Sequence, residues 1–305
     1  MNMRRLLFLG SKEAGLMALR RLLHGLPEGT VPAILCPDDR SDTRSEYEAF
    51  VSLARQHRLP LHLVQTTKET SELINSYAPQ TVIVHGWYRM IPVAQFPAID
   101  FLGFHYSPLP LYRGNAPMVW QIINGEAQLG VSFFALTEGM DDGDLVDQAV
   151  FELAPREDVS DAIRKANERV AAMLDNFIPR WLAGEVSKRP QPDRAASYCG
   201  LRLPEDGRID WRTDAARVNN FIRAQTRPYP GAFSLLGEGR VVRFWRSEID
   251  SRCFYGTPGA VVEVASDAIV VACGVGAVRV LHADLDGEAT ASATSALRSL
   301  KVRFQ

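Results

Sequence analysis

His105 closes a short apolar run and is followed at once by Ser107, Pro108, Pro110, Arg113 and Gly114, so an imidazole stands where regular structure gives way to a loop. Further along, Asp141, Asp142 and Asp144 fall in a stretch bracketed by Gly139 and Gly143. A carboxylate that reaches an imidazole can fix its tautomer and keep it protonated, which suits proton transfer or stabilisation of a developing oxyanion. Taken singly, each group has an ordinary reading: a loop histidine, and aspartates making Asx-turns around Gly143. The aspartates with His105 could also mimic a metal site, but their spacing matches no defined ligand pattern, so no metal is expected. Cys36, Cys199, Cys253 and Cys273 lie far apart with no CxxC pair. They read as buried or incidental thiols of a reducing cytoplasm.

The elements that must position these groups alternate along the first half. Residues 5–9 form a strand candidate, followed by an amphipathic stretch with Leu16, Leu19, Leu22 and Leu23 on one face. Residues 31–36, 61–64 and 81–85 are further strand candidates, separated by helical patterns that carry Tyr47, Phe50, Val51 and Leu53 and then span residues 68–77. This alternation predicts an α/β fold, a Rossmann-like and mostly parallel sheet covered on both faces. In such sheets ligands bind beyond the carboxyl ends of the strands, where His85 and His105 both fall. The first strand-to-helix turn, LGSKEAG, lacks both the G-x-G-x-x-G and the G-K-[ST] spacing of a nucleotide site.

Residues 131–136 read as a strand running into the aspartate loop, and residues 158–182 as a long helix whose apolar positions step by three and four. From 184 to 208 the chain turns proline-rich and charged and reads as an extended connection. A short helix follows, opened by Thr213 or Asp214. Short β-prone runs at 232–236, 240–245, 260–264, 268–273 and 277–281 then predict a small barrel, OB-like in type. The expected domains are 1–203 and 204–305.

The composition is that of a globular protein, with 46% hydrophobic and 23% charged residues among 305 and a formal net charge of −2. No overall basic field exists to hold a polyanion, which argues against nucleic acid as partner. The start, MNMRRLLFLGSKEAG, opens like a signal peptide, but its apolar run stops at Leu9 ahead of Lys12 and Glu13. It reads better as a first buried strand. No run approaches membrane-spanning length. A cytoplasmic protein is expected.

Read together, the run H-x-S-x-L-P-x-Y-R-G-x-A-P at 105–117, then Asn124-Gly125-Glu126, Gly130-Val131 and the D-x-G-D of 141–144, closely resembles the formyltransferases that use formyl-tetrahydrofolate as donor. VIVHGWYRMIP, residues 82–92, resembles the family's pterin-receiving strand and loop. Residues 206–233, DGRIDW…FIRAQTRPYPGAF, resemble the opening of the C-terminal domain of methionyl-tRNA and amino-sugar formyltransferases. The resemblance implies His105 and Asp141 as catalytic residues. It also implies a donor site drawn from Gly86, Trp87, Tyr88, Met90, Ile91, Pro92, Ser107, Gly139 and Asp142, and acceptor contacts from Arg113, Asn115 and Tyr229. Arg113 reads equally as a ligand for phosphate or carboxylate and as a brace of its loop. Where the family carries a catalytic asparagine two residues before the histidine, this chain has Gly103. Gly103 offers only its backbone N–H, and its small size leaves room for a water.

The implied reaction is metal-free acyl transfer to a small-molecule amine, with an amino sugar carried on a nucleotide as first choice. A siderophore hydroxyornithine, an antibiotic amine and methionyl-tRNA stand as rival acceptors. From other classes, a formyl-tetrahydrofolate hydrolase and a non-catalytic folate-binding relative remain open. No membrane partner is expected, and a homodimer is one option for assembly.

Overall fold

The computed structural model describes residues 4–237, 239–286 and 297–305; the first three residues of the signal-like start lie outside the described residues. Two compact units emerge. One takes in Met1–Gly114, Gly130–Val150 and Lys165–Tyr198, the other Asn115–Leu129, Phe151–Arg164 and Cys199–Gln305.

In the first unit, β1 (Leu6–Gly10) is buried throughout, and its side chains alternate between two apolar clusters: Leu6 and Phe8 enter one, Leu7 and Leu9 the other. A strand apolar on both faces needs cover on both, which is the condition for a parallel sheet flanked by helices. The chain supplies it by alternating α1 (Lys12–Gly25), β2 (Ile34–Pro37), α2 (Tyr47–Gln56), β3 (Leu61–Val64), α3 (Thr67–Tyr77), β4 (Thr81–His85) and β5 (Asp100–His105). α3 begins at a capping box: Thr66 Oγ1 accepts from Glu69 N at 3.1 Å while the Glu69 carboxylate accepts from Thr66 N at 3.2 Å.

After β5 come the two-residue β6 (Arg113–Gly114), α4 (Pro117–Ile123), β7 (Gln128–Ala135), β8 (Leu145–Glu152), α5 (Val159–Ala183) and the two-residue β9 (Tyr198–Cys199). The main sheet has seven strands in the order β3-β2-β1-β4-β5-β7-β8. β1 through β5 pair in parallel, whereas β7 runs antiparallel to β5, with Leu102 opposite Ala135 and His105 opposite Ser132. β8 has no counterpart in the sequence reading. Its only deeply buried positions are Leu145 and Phe151, too sparse to register as an apolar run.

The second unit holds a five-stranded antiparallel sheet, ordered β10-β11-β14-β13-β12, from β10 (Ala232–Leu236), β11 (Arg240–Asp250), β12 (Val261–Val264), β13 (Ile269–Ala272) and β14 (Ala277–Leu285). The C-terminal residues close its edges: Gln305 exchanges backbone hydrogen bonds with Leu235 at 2.9 Å, and Phe304 N donates to Gly259 O at 2.8 Å. This closure makes the small barrel that the runs of β-prone residues predict, and it protects edge strands that would otherwise be open. Trp211, Phe244 and Phe304 pack ring on ring in its core, with centroids 5.1–5.7 Å apart. α6 (Ala215–Gln225) starts at Asp214, which accepts from Arg217 N at 2.8 Å. Of the two candidate caps, Asp214 is the one used. No helix among the described residues is long and apolar enough to cross a membrane.

The carboxyl ends of β1 and β4 mark the topological switch point of the parallel sheet, the usual place for a nucleotide. Here they are bonded to each other: Ser11 N donates to His85 O at 3.2 Å and Ser11 Oγ donates to Gly86 O. Gly86 is left-handed, with φ +72°, and a Cβ there would lie 2.1 Å from Ser11 O, so only glycine allows the closure.

His85 points to the helix-covered face opposite His105. Its ring packs against Phe104 and Tyr106 at 5.0 and 5.6 Å, and the Tyr106 hydroxyl donates to Asn167 on α5. Burial without a charged partner pulls its pKa down to about 4. The folded state therefore holds His85 neutral, while the unfolded chain takes up its proton below about 6.5. Stability carried by this group is complete above pH 6.5 and falls by roughly 3 kcal/mol as pH drops to 4. His85→Gln is expected to flatten that part of the stability–pH curve, measured by urea unfolding at several pH values; an unchanged slope would remove His85 as its source.

Candidate active site

β5 delivers His105 at its last position, on the face shared by Gly103. β7 runs the other way, so its carboxyl end lies beside Leu102 rather than His105. The β7–β8 connection must therefore fold back along the sheet for its aspartates to reach the imidazole. It does: His105 Nδ1 lies 3.5 Å from Asp141 Oδ2. That is a close approach, longer than a fully formed hydrogen bond. Nε2 lies 2.8 Å from the Tyr112 carbonyl, which can only accept, so Nε2 carries a proton. Both ring nitrogens thus face oxygen acceptors, and the ring is fixed from two sides. Its side chain is 9% exposed against 24% for Asp141, leaving the carboxylate as the more open partner.

Asp141 adopts a left-handed φ of +51°. For a residue other than glycine this costs about 1–2 kcal/mol and persists only where surrounding bonds enforce it. Two do so: Gly114 N donates to Asp141 Oδ2 at 2.8 Å, and Gln191 Nε2 donates to Asp141 O at 2.9 Å. The neighbouring Asp142 is exposed and accepts from the Thr137 hydroxyl; Gly139 is exposed beside it. Among the described residues no group of three or more His, Cys, Asp or Glu could hold a metal ion.

The remaining residues singled out in the sequence separate clearly. Tyr88 and Met90 are 57% and 77% exposed on the loop after β4, while Ile91 is buried in the core below and Pro92 is half-buried. Trp87 packs on the same core, with a buried Nε1 that has no hydrogen-bond partner among the described residues. Ser107 is wholly buried: its hydroxyl donates to Leu111 O at 2.6 Å and its carbonyl accepts from Ser132. These bonds tie the loop after His105. Arg113 is likewise committed internally, donating to Gln191 Oε1 at 2.8 and 3.1 Å and to Asp193 at 2.8 Å, so its contacts fit the brace rather than the anion ligand. Asn115 and Tyr229 belong to the second unit, where Asn115 Oδ1 accepts from Arg202 N at 3.3 Å. Gln191 and Asp193 were not anticipated, because a Gln-Pro-Asp in a proline-rich stretch carries no recognisable signature.

The place a Cβ would take at Gly103 is already crowded. A Cβ there would lie 3.1 Å from Leu136 Cδ2 and 3.4 Å from Val84 O. Leu136, at the start of the folded-back connection, takes that space. Gly103→Asn is accordingly expected to cost about 1–3 kcal/mol by overpacking, and less in a Leu136→Ala background. Denaturant unfolding of the four proteins checks this; an equal cost in both backgrounds would clear Leu136 as the obstacle.

Comparison with known proteins gives the geometry its context. The family described as Formyl transferase matches residues 21–178, and Formyl transferase, C-terminal domain, matches residues 203–301. A methionyl-tRNA formyltransferase of Citrifermentans bemidjiense is 30% identical over 308 residues, covering 98% of this chain and 94% of the relative. Among solved structures, an N-formyltransferase of Helicobacter canadensis, in complex with folinic acid and dTDP-3-aminofucose, superposes with a TM-score of 0.72 at 17% identity, covering 92% of this chain and 99% of that one. HypX of Aquifex aeolicus, in complex with tetrahydrofolic acid, gives 0.64 at 20% identity over 93% of this chain and 45% of its own length. With family matches over residues 21–178 and 203–301 and His105 and Asp141 close together inside the first, the chain belongs to the formyl transferase family.

Proposed function

We propose that the protein moves a formyl group from formyl-tetrahydrofolate to the amine of a small molecule, a nucleotide-linked amino sugar before others, with His105 and Asp141 as the catalytic pair. The observation that carries this reading is the 3.5 Å approach of His105 Nδ1 to Asp141 Oδ2 within a formyl transferase chain.

Transfer requires a neutral amine to attack the formyl carbon, the carbonyl oxygen to become an oxyanion, the amine to lose a proton and the bond to the folate nitrogen to break. Asp141, the more exposed partner, is placed to receive the amine proton. His105 is anchored through Nε2 and can exchange a proton at Nδ1, stabilising the oxyanion or protonating the departing nitrogen. Residues 86–92 suit the folate. The Trp87 indole N–H is buried without an acceptor among the described residues, and Tyr88 and Met90 offer exposed apolar surface beside it. An open cleft of about 750 Å³, lined by Asp38, Arg40, Ser41, Gln65 and Arg89, borders the same loop.

For a small acceptor speak the net charge of −2 and the likeness in fold to the N-formyltransferase of Helicobacter canadensis in complex with dTDP-3-aminofucose. A second reading, methionyl-tRNA, is favoured by the full-length similarity to enzymes of that name. Formyl-tetrahydrofolate mixed with a dTDP-linked amino sugar, hydroxyornithine, methionyl-tRNA or no acceptor separates the cases. Tetrahydrofolate release that depends on the amino sugar is expected. Release only with methionyl-tRNA would move the function to the second reading, release without any amine would make the protein a hydrolase, and binding without turnover would make it a non-catalytic relative.

His105→Ala and Asp141→Asn are each expected to lower turnover at least ~100-fold while thermal unfolding stays near that of the parent. Retained turnover in either would remove the pair from the chemistry.

A further inference from the structure

The proline-rich stretch after α5 reads in sequence as a connection, yet it is bonded to both halves of the site. Leu145 and Arg189 exchange backbone hydrogen bonds at 2.7 and 2.9 Å, just past the aspartate turn. Arg113 N donates to Ser197 O at 2.8 Å, Ser197 N donates to Pro110 O at 3.2 Å, and Tyr112 N donates to Ser197 Oγ at 2.9 Å, all in the loop that follows His105. Residues 189–197 therefore strap the His105 loop to the Asp141 turn.

Gln191 lies at the centre of the strap. It is 8% exposed, and its amide is fully used. Nε2 donates to Asp141 O at 2.9 Å and to Gly143 O at 2.7 Å, while Oε1 accepts two bonds from the buried Arg113 guanidinium at 2.8 and 3.1 Å. Only a primary amide of this length supplies two donors to one side and an acceptor to the other. The two carbonyls it holds flank the turn in which Asp141 sits in its unfavourable left-handed conformation. Without those donors the turn has Gly114 N as its remaining hold on Asp141 among the bonds described above, and that bond ends on the same Oδ2 that faces His105.

We propose that Gln191 is a positioning residue: through the Asp141 and Gly143 carbonyls it sets where the Asp141 carboxylate stands relative to His105. This rests on the formyl-transfer reading of that pair for its effect on rate, though not for its effect on geometry.

Gln191→Glu tests it. The substitution keeps an acceptor for Arg113 and so preserves the brace, but it sets a carboxylate oxygen against two carbonyls and releases the turn. The expected result is a fall in kcat of about 10–100-fold with KM for formyl-tetrahydrofolate within about twofold, the scale seen when an outer residue that orients a reactive group is lost. The ring-nitrogen resonances of His105 should move in the same direction as they do in Asp141→Asn. Combined with Asp141→Asn, Gln191→Glu should slow the enzyme little further, because the carboxylate it positions is already gone. Losses that multiply in the double variant, or a parental kcat with unmoved His105 resonances, would overturn the proposal. Should Gln191→Glu fail to fold, Gln191→Met, similar in size and without donors, is read by the same measurements. If Asp141→Asn itself retains full turnover, the formyl-transfer role of the pair fails instead, and the resonances alone decide whether Gln191 holds the turn.

Discussion

The reversal of chain direction between β5 and β7 is the constraint from which the site follows. In a purely parallel sheet the carboxyl ends of neighbouring strands lie at one edge, and loops leaving them meet without effort. Here β7 passes His105 at Ser132 and ends three positions beyond it, opposite Leu102, so the segment that carries Asp141 has to double back over the sheet. A doubled-back segment needs anchors, and those found are Leu136 N on Phe101 O, Ala135 N on Asp144 O and the amide of Gln191. The glycines follow from the same requirement: a Cβ on Gly143 would lie 1.9 Å from Ala135 O, so no other residue passes that point.

Closing the switch point between β1 and β4 complements this arrangement. In an open doubly wound sheet that crevice is the default ligand site. Ser11 bonds it shut on His85 and Gly86, which explains why the first turn needs no glycine-rich phosphate signature. The contact of His105 with Asp141 lies two positions along the sheet from that crevice, at the junction between its parallel and antiparallel parts. His85 and His105 both end strands and look alike in sequence, yet alternation puts them on opposite faces. One becomes a buried neutral ring among aromatics, the other a ring with an oxygen at each nitrogen.

What could be read from sequence divides along the same physical line. Strands buried on both faces, such as Leu6–Gly10 and Thr81–His85, and helices with clear caps, such as Thr67–Tyr77, announce themselves because local pattern and tertiary role agree. His105 and Asp141 were legible as reactive types at a structural break, and family resemblance joined them. The direction of β7 was not legible, since no residue pattern within a strand specifies whether its neighbour runs with it or against it. β8 was hidden by its half-exposed faces. Gln191 escaped because its role is defined wholly by two loops distant in sequence, and the proline that follows it gave the segment the look of a passive linker.

Gly103 shows how far packing alone can alter a chemical expectation. Resemblance places a polar donor at this position, and its absence suggests room for a water where the side chain would be. Instead the fold-back brings Leu136 against β5, and the missing Cβ is what lets the leucine approach to van der Waals contact. A methyl group cannot stabilise an oxyanion, and one lost donor in such a site typically removes ~10²–10³ in rate. On the proposed formyl-transfer reading the stabilisation falls to the imidazole, so its fixation by the Tyr112 carbonyl and its approach to the Asp141 carboxylate carry more weight than in a site with a donor to spare. On the same reading, the strap of residues 189–197 that ties the His105 loop to the Asp141 turn bears on the rate as well as on the fold.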